Sequence, residues 1–314
     1  MSRPDIVTLT VNPALDVTAA AEKVVPTEKI RCQAERYDAG GGGLNVARFA
    51  TALGAAVAAV YTAGGATGTR ITEMLAAENV SGTAIPIKGP TRESFTVNEL
   101  STGRQYRFVL PGPTLTAGEQ AQCLDALRRA AAEAQFVVAS GSLPPGVPPD
   151  FYQLVAGLCA DLGARLILDT SGGGLTHISS GVFLLKPSVR ELRECVGHEV
   201  DTVEGQHAAA RALIDRGVAE TIVVSLGAGG ALLVTSAVSK HFSAIPVTTV
   251  SGVGAGDAMV AGITLGLTRR WDLPHAVHYG IAAATAKLST VGTSAFRRDE
   301  VDRLFGLPSA PCAN

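Results

Sequence analysis

The sequence predicts an α/β fold: a mostly parallel central sheet flanked by helices, with a small antiparallel sheet inserted as a lid. Three observations predict it. Short β-branched runs alternate with longer alanine-rich segments, the pattern of successive β–α–β units. Those runs are mostly apolar and lack polar–apolar alternation, as strands covered on both faces require. Two stretches, 16–38 and 92–110, break the rhythm with charge and with polar–apolar alternation.

Buried strands are expected at 6–10, 56–61, 136–139, 166–169, 182–186 and 221–225. Helical spacing of the apolar residues predicts helices over 44–53, 67–78, 117–134, 149–162, 188–196 and 204–216. In the second lid stretch, Phe95, Val97 and Glu99, then Tyr106, Phe108 and Leu110, are spaced by two around Ser101-Thr102-Gly103. That spacing predicts a hairpin with one solvated face. A second hairpin is expected from 230–235 and 241–244 near the sheet edge, followed by two long helices, 256–267 and 274–289. The tail, 306–314, is expected to be loose. With no repeat and no linker, residues 1–314 read as a single domain.

Composition narrows the function. The chain is 46% hydrophobic, enough for a large core, and its net charge of −2 offers nothing to nucleic acid or an anionic membrane. An anion site must therefore come from a local basic cluster. Five scattered cysteines, Cys32, Cys123, Cys159, Cys195 and Cys312, form neither a disulfide framework nor a zinc site. His275 and His278 share a helix face but have no third ligand nearby, so they read as surface histidines. The start of the chain lacks a signal-peptide pattern, and no apolar stretch reaches about 18 residues, so a cytoplasmic protein is expected.

Three glycine-rich turns carry the chemistry. Gly40-Gly41-Gly42-Gly43 precedes a helix and permits close backbone approach to a ligand, although it lacks the spacing of a dinucleotide fingerprint and no strand directly precedes it. Ser225-Leu226-Gly227-Ala228-Gly229-Gly230 ends a strand, where open α/β sheets bind ligands, but it also reads as a plain turn. Gly252-Val253-Gly254-Ala255-Gly256-Asp257 opens onto a small-residue helix, so successive N–H groups there make an anion nest. An acidic residue in a first helical turn is favourable to the dipole on structural grounds alone. Beside an anion nest, however, the Asp257 carboxylate suggests a base next to a transferring phosphoryl group. No Walker-type phosphate loop is present.

At these residues the sequence resembles the ribokinase-like carbohydrate kinases, within them the phosphofructokinase B branch. The resemblance runs from Thr8-Leu9-Thr10-Val11-Asn12-Pro13-Ala14-Leu15-Asp16 through Gly40–Gly43 with Leu44-Asn45-Val46-Ala47-Arg48, then Ser140-Gly141-Ser142-Leu143-Pro144-Pro145-Gly146, to Gly254–Asp257 and Gly292-Thr293. It implies a Rossmann-like body with a β-sheet lid that clasps a second subunit, hence a homodimer. It also implies that Asp257 is the catalytic base, with the amides of Gly254, Ala255 and Gly256 as the anion hole. Asp16, Gly41, Gly42 and Asn45 would hold the sugar hydroxyls. A phosphate dianion needs cationic donors. Arg92 and Arg107, with Lys29 and Ser140 beside them, match that requirement.

The implied reaction is ATP-dependent phosphorylation of fructose 6-phosphate at its C1 hydroxyl. Fructose 1-phosphate, tagatose 6-phosphate and nucleosides are competing acceptors, and a catalytically weak sugar-phosphate or nucleotide sensor is a further reading. ATP contacts are implied for Lys186, Ser188, Ser225, Gly227, Gly230 and Thr285, with Mg²⁺ reached through water by Glu191. A K⁺ site is implied around Ser251, Val253, Lys287, Thr290, Gly292 and Ser294. Two positions depart from the family pattern: Ser188 stands where an asparagine is usual, and Lys287 brings a charge to the K⁺ site. Pointing inward, that ammonium could replace the ion; its long stem leads us to expect it to reach solvent instead.

Overall fold

The computed structural model describes residues 3–306. β1 (Ile6–Thr10) leads into an antiparallel pair, β2 (Ala14–Ala21) and β3 (Gln33–Gly40), and then into helix α1 (Gly42–Ala52). Next come β4 (Val57–Ala63), α2 (Gly65–Ala77), β5 (Ser81–Pro86) and the hairpin β6 (Arg92–Glu99) and β7 (Gln105–Val109). The chain continues through α3 (Ala117–Ala130), β8 (Phe136–Ser140), α4 (Phe151–Leu162), β9 (Arg165–Asp169) and a one-turn α5 (Gly173–Thr176). Then follow β10 (Val182–Leu185), α6 (Val189–Val196), α7 (Val203–Asp215), β11 (Ala219–Ser225), β12 (Ala231–Thr235) and β13 (Ser239–Phe242). Helices α8 (Ala255–Thr268), α9 (Leu273–Leu288) and α10 (Arg298–Phe305) complete it.

A nine-stranded sheet runs β13-β12-β11-β10-β9-β8-β1-β4-β5, parallel from β5 to β11 and closed at one edge by the antiparallel β12–β13 hairpin. Its strands feed two cores by alternation. Ile6, Phe136, Val138 and Val223 pack with α1, α8 and α9, while Val7, Leu9, Val137 and Val224 pack with α3, α4 and α7. A period-two strand between two helical layers needs apolar residues on both faces, which is why these segments read as unbroken runs.

The lid is a four-stranded sheet in the order β3-β2-β6-β7. Both of its hairpins are antiparallel, but its central pair, β2 and β6, is parallel, which an all-antiparallel expectation misses. β2 follows the carboxyl end of β1 and β6 follows that of β5, so both leave the body in the same direction. A second correction concerns Gly40. Strand β3 does lead directly into the glycine run, but its first four residues are exposed, so no apolar signal marks it. The polar edge strand β5 and helices α5 and α10 escaped the sequence reading for the same reason. Beyond Gly306 the expected loose tail, with Cys312, lies outside the described residues. No helix among the described residues is long and apolar enough to cross a membrane.

Candidate active site

Strand order reverses at β1, with β4 on one side and β8 on the other, and open α/β sheets bind ligands at such a point. A polar cleft of about 250 Å³ opens there beneath the lid. Asp16, Arg92 and Arg107 of the lid strands face Gly41, Gly42, Asn45, Ser140, Glu191, Gly254 and Asp257 of the body across it. The glycine run is required by close packing. A Cβ on Gly42 would stand 2.1 Å from Ser140 Oγ, and one on Gly40 would collide with the Asp16 carboxylate.

A second, more apolar cavity of about 510 Å³ lies on the other side of the α8 amino terminus. Ser225, Gly227, Gly230 and Thr285 line it, together with Ile245, Met259, Ile281 and Leu288, which the glycine motifs do not mark. Gly254 borders the cleft, while Ala255 and Gly256 border the second cavity. The start of α8 is thus the wall between them. Gly254 adopts a left-handed conformation (φ 80°) to begin this helix, and no side chain caps it. Apart from a long 3.4 Å bond from Ala255 N to Gly252 O, its first N–H groups are left for a ligand.

Asp257, in the first turn of α8, accepts a hydrogen bond from Asn45 Nδ2 at 2.9 Å. Burial pushes its pKa up to about 7, Asp169 pushes in the same direction, and the Asn45 hydrogen bond and Lys186 oppose them. Asn45 is itself oriented. Buried Arg48 donates to Asn45 Oδ1 at 3.3 Å, to Ala39 O and to Thr293 Oγ1, while its other nitrogens grip Glu78 at 2.7 Å. Arg48 lay within the matched glycine motif, but its role depends on this three-dimensional chain. Asp16 is likewise pushed up, to about 6, by burial, against the pull of Arg107 and Arg92.

Arg92 is anchored by its own donations to Leu110 O (2.7 Å) and Asn12 O (3.1 Å), while its buried Nε has no partner. Arg107 is exposed on the cleft rim. Lys29 lies in the exposed loop between β2 and β3 and does not line the cleft. Lys186, paired with Asp169 at 3.2 Å, places its Nζ 3.6 Å from where a Cβ on Gly256 would stand. Asp169, which the sequence reading treated only as a strand end, is therefore part of the site.

Ser188 and Glu191 form a reciprocal cap at the start of α6: Glu191 Oε2 accepts from Ser188 N and Ser188 Oγ, each at 2.8 Å. The S-x-x-E spacing is a capping-box signal in its own right. Glu191 lines the cleft, and its Oε1 lies 3.9 Å from Arg190. One carboxylate with a free oxygen beside a phosphate site fits Mg²⁺, which keeps much of its water and takes few protein ligands.

The expected course of the Lys287 side chain is corrected. Lys287 is fully buried, not snorkelled, and its Nζ donates to Thr290 Oγ1 and Gly292 O, both at 2.8 Å. The backbone of Val250 and Ser251 donates to Leu288 O at the end of α9. Burial lowers the Lys287 pKa to about 8, with Asp38 opposing. Two unit cations about 3 Å apart repel by about 5 kcal/mol at an effective dielectric of about 20. A charged Lys287 and a K⁺ therefore do not share these ligands, and the residues present do not fit the ion.

The sequence profile of the pfkB family carbohydrate kinases matches residues 9–299. ATP-dependent 6-phosphofructokinase isozyme 2 of Mycobacterium tuberculosis is 61% identical over 98% of this chain and 91% of that protein. Phosphofructokinase-2 from Escherichia coli, solved in complex with potassium, superposes with a TM-score of 0.91 at 36% identity, covering 98% of this chain and 99% of that one. A 1-phosphofructokinase of Bacillus subtilis is 32% identical over 93% of this chain and 95% of that protein. Match, fold and glycine motifs agree: the chain belongs to the pfkB family of carbohydrate kinases.

Proposed function

We propose that the protein is an ATP-dependent 6-phosphofructokinase, transferring the γ-phosphoryl group of ATP to the C1 hydroxyl of fructose 6-phosphate. The observation that carries this reading is the uncapped start of α8, with Asp257 in its first turn, forming the wall between a polar cleft and an apolar cavity. The cleft takes the sugar phosphate. Asp16, Gly41, Gly42 and Asn45 orient its hydroxyls, and Arg92 and Arg107, with Ser140 nearby, neutralise its phosphate. Lys29 is kept in this set on the resemblance alone. The cavity takes the nucleotide, with Ser225, Gly227, Gly230 and Thr285 around the base and ribose, and Lys186 and Ser188 toward the phosphates.

Asp257, with a pKa near neutrality, removes the C1 proton as the oxygen attacks. The amides of Gly254, Ala255 and Gly256 receive charge developing on the transferring group. Glu191 would hold Mg²⁺ through water, and the ion would supply charge neutralisation to the phosphates.

Around this site, residues 1–314 act as one kinase domain whose lid comes from 16–38 and 92–110. A second copy of the chain covers the lid: Phe95 and Phe108 are cross-strand partners, yet 40% and 54% exposed. The free thiols of Cys32, Cys123, Cys159 and Cys195 suit the cytoplasm.

The test is kcat/KM with ATP across fructose 6-phosphate, tagatose 6-phosphate, fructose 1-phosphate, fructose and a nucleoside. Fructose 6-phosphate is expected to lead. Preference for an unphosphorylated acceptor would remove the role given to Arg92 and Arg107. Binding without turnover of any acceptor would mark a sensor.

A further inference from the structure

Two buried lysines flank the α8 amino terminus, and they differ in what balances them. Lys186 approaches Gly256 and is paired with Asp169 at 3.2 Å. Lys287 approaches Gly254 from the opposite element, its Cε 3.5 Å from where a Cβ on that glycine would stand. Among the described residues no carboxylate lies within 4.0 Å of its ammonium, which instead donates to one hydroxyl and one backbone carbonyl. Thr290 is turned for this role: its hydroxyl also bonds the Lys287 and Ser294 carbonyls, so the loop after α9 is folded around the charge.

A lysine in the last turn of a helix gains from the dipole whether it points outward or inward. Pointing outward would cost nothing in desolvation, so helix capping does not explain a fully buried ammonium. Its position does. A positive charge behind Gly254 raises the potential at the amides that face the cleft, where negative charge grows during phosphoryl transfer. Potassium coordinated by the same hydroxyl and carbonyl would supply the same unit charge, and Lys287 has taken those ligands.

We propose that the Lys287 ammonium is a resident cation of the anion hole, and that it makes this enzyme independent of added monovalent cations. The tethered charge is always present, so no ion has to bind before catalysis. The inference rests on the α8 nest being where the phosphoryl group passes.

The experiment is turnover of the full chain in tetramethylammonium buffers free of K⁺ and NH₄⁺, titrated with KCl at constant ionic strength. For the wild type, kcat and the KM for ATP are expected to change by less than about twofold. Lys287→Met is expected to lose about 10- to 100-fold in kcat without K⁺, the scale of one lost contact to developing charge, and to recover in part with KCl or NH₄Cl. Melting temperature gives a second readout: KCl should stabilise the methionine variant and leave the wild type unmoved. The proposal is overturned if KCl activates the wild type more than about fivefold, or if Lys287→Met turns over normally without K⁺. It is equally overturned if a folded Lys287→Met is not revived by K⁺. Should that variant fail to fold, thallium(I) binding to the wild type decides: occupancy at Gly292 and Thr290 refutes the proposal, and its absence with an unresponsive wild type supports it. Asp257→Asn run in parallel keeps the two readings apart, because normal turnover there would sink the base assignment and not the cation titration.

Discussion

The floor and the roof of the cleft are built on different physics. In the floor, functional side chains interlock. Glu78 grips Arg48, Arg48 orients Asn45, Asn45 holds Asp257, and Lys186 is paired with Asp169. In the roof, Arg107 is exposed, and the four lid strands keep one apolar face turned outward at Phe95 and Phe108. A floor of buried charge can hold a pKa away from its ordinary value and keep donors aimed, which is what bond-making requires. The roof's cations, exposed Arg107 and half-buried Arg92, give binding and closure, with little influence on the reacting oxygen. The contrast teaches that floor changes should act on kcat and roof changes on KM.

The largest expected effect comes from Asp257→Asn, which should lower kcat about 10²- to 10⁴-fold while the KM values hold. The same variant carries a stability signature. Because the folded carboxyl binds its proton more tightly than an unfolded one, with a pKa near 7, the wild type loses stability as pH rises from about 4 to about 7. The asparagine has no such penalty, so its melting temperature should exceed the wild type's at pH 8 and converge with it near pH 4. A kcat that falls with no change in this pH trend would mean the carboxyl is not held as described.

Next in size is Arg107→Ala. Losing a charge-assisted contact of about 1.5–3 kcal/mol should raise the KM for fructose 6-phosphate about 10- to 100-fold, with the KM for ATP unaffected. An equal fall in kcat would blur the division between roof and floor. The smallest effect is assigned to Phe108→Glu, which should shift the sedimentation of the protein from dimer toward monomer and move kcat less than either. An unchanged dimer would place the subunit contact elsewhere than the lid.

Much of the body could be read directly. Unbroken apolar runs such as Ile6–Thr10 have only one stable setting, between two helical layers, and the Gly254–Asp257 turn can do little besides start a helix over an anion. The lid was harder. Strands β3 and β5 face solvent, so their residues carry no apolar period to detect. The parallel seam of β2 and β6 follows from where the body releases them, a property of the whole topology.

Within the site, residue identity and residue posture separate. Sequence by itself determined the fold class and the glycine turn that opens α8 with a carboxylate in its first turn, because those depend on local spacing and backbone freedom. Tertiary structure alone decided that Arg48 steadies Asn45, that Asp169 balances Lys186, and that Lys287 turns inward. Each of these depends on elements far apart in the chain meeting at one point. The ammonium of Lys287 is the clearest case: its stem is long enough to reach solvent, and it is the loop after α9, bringing Thr290 Oγ1 and the Gly292 carbonyl to it, that holds it inward.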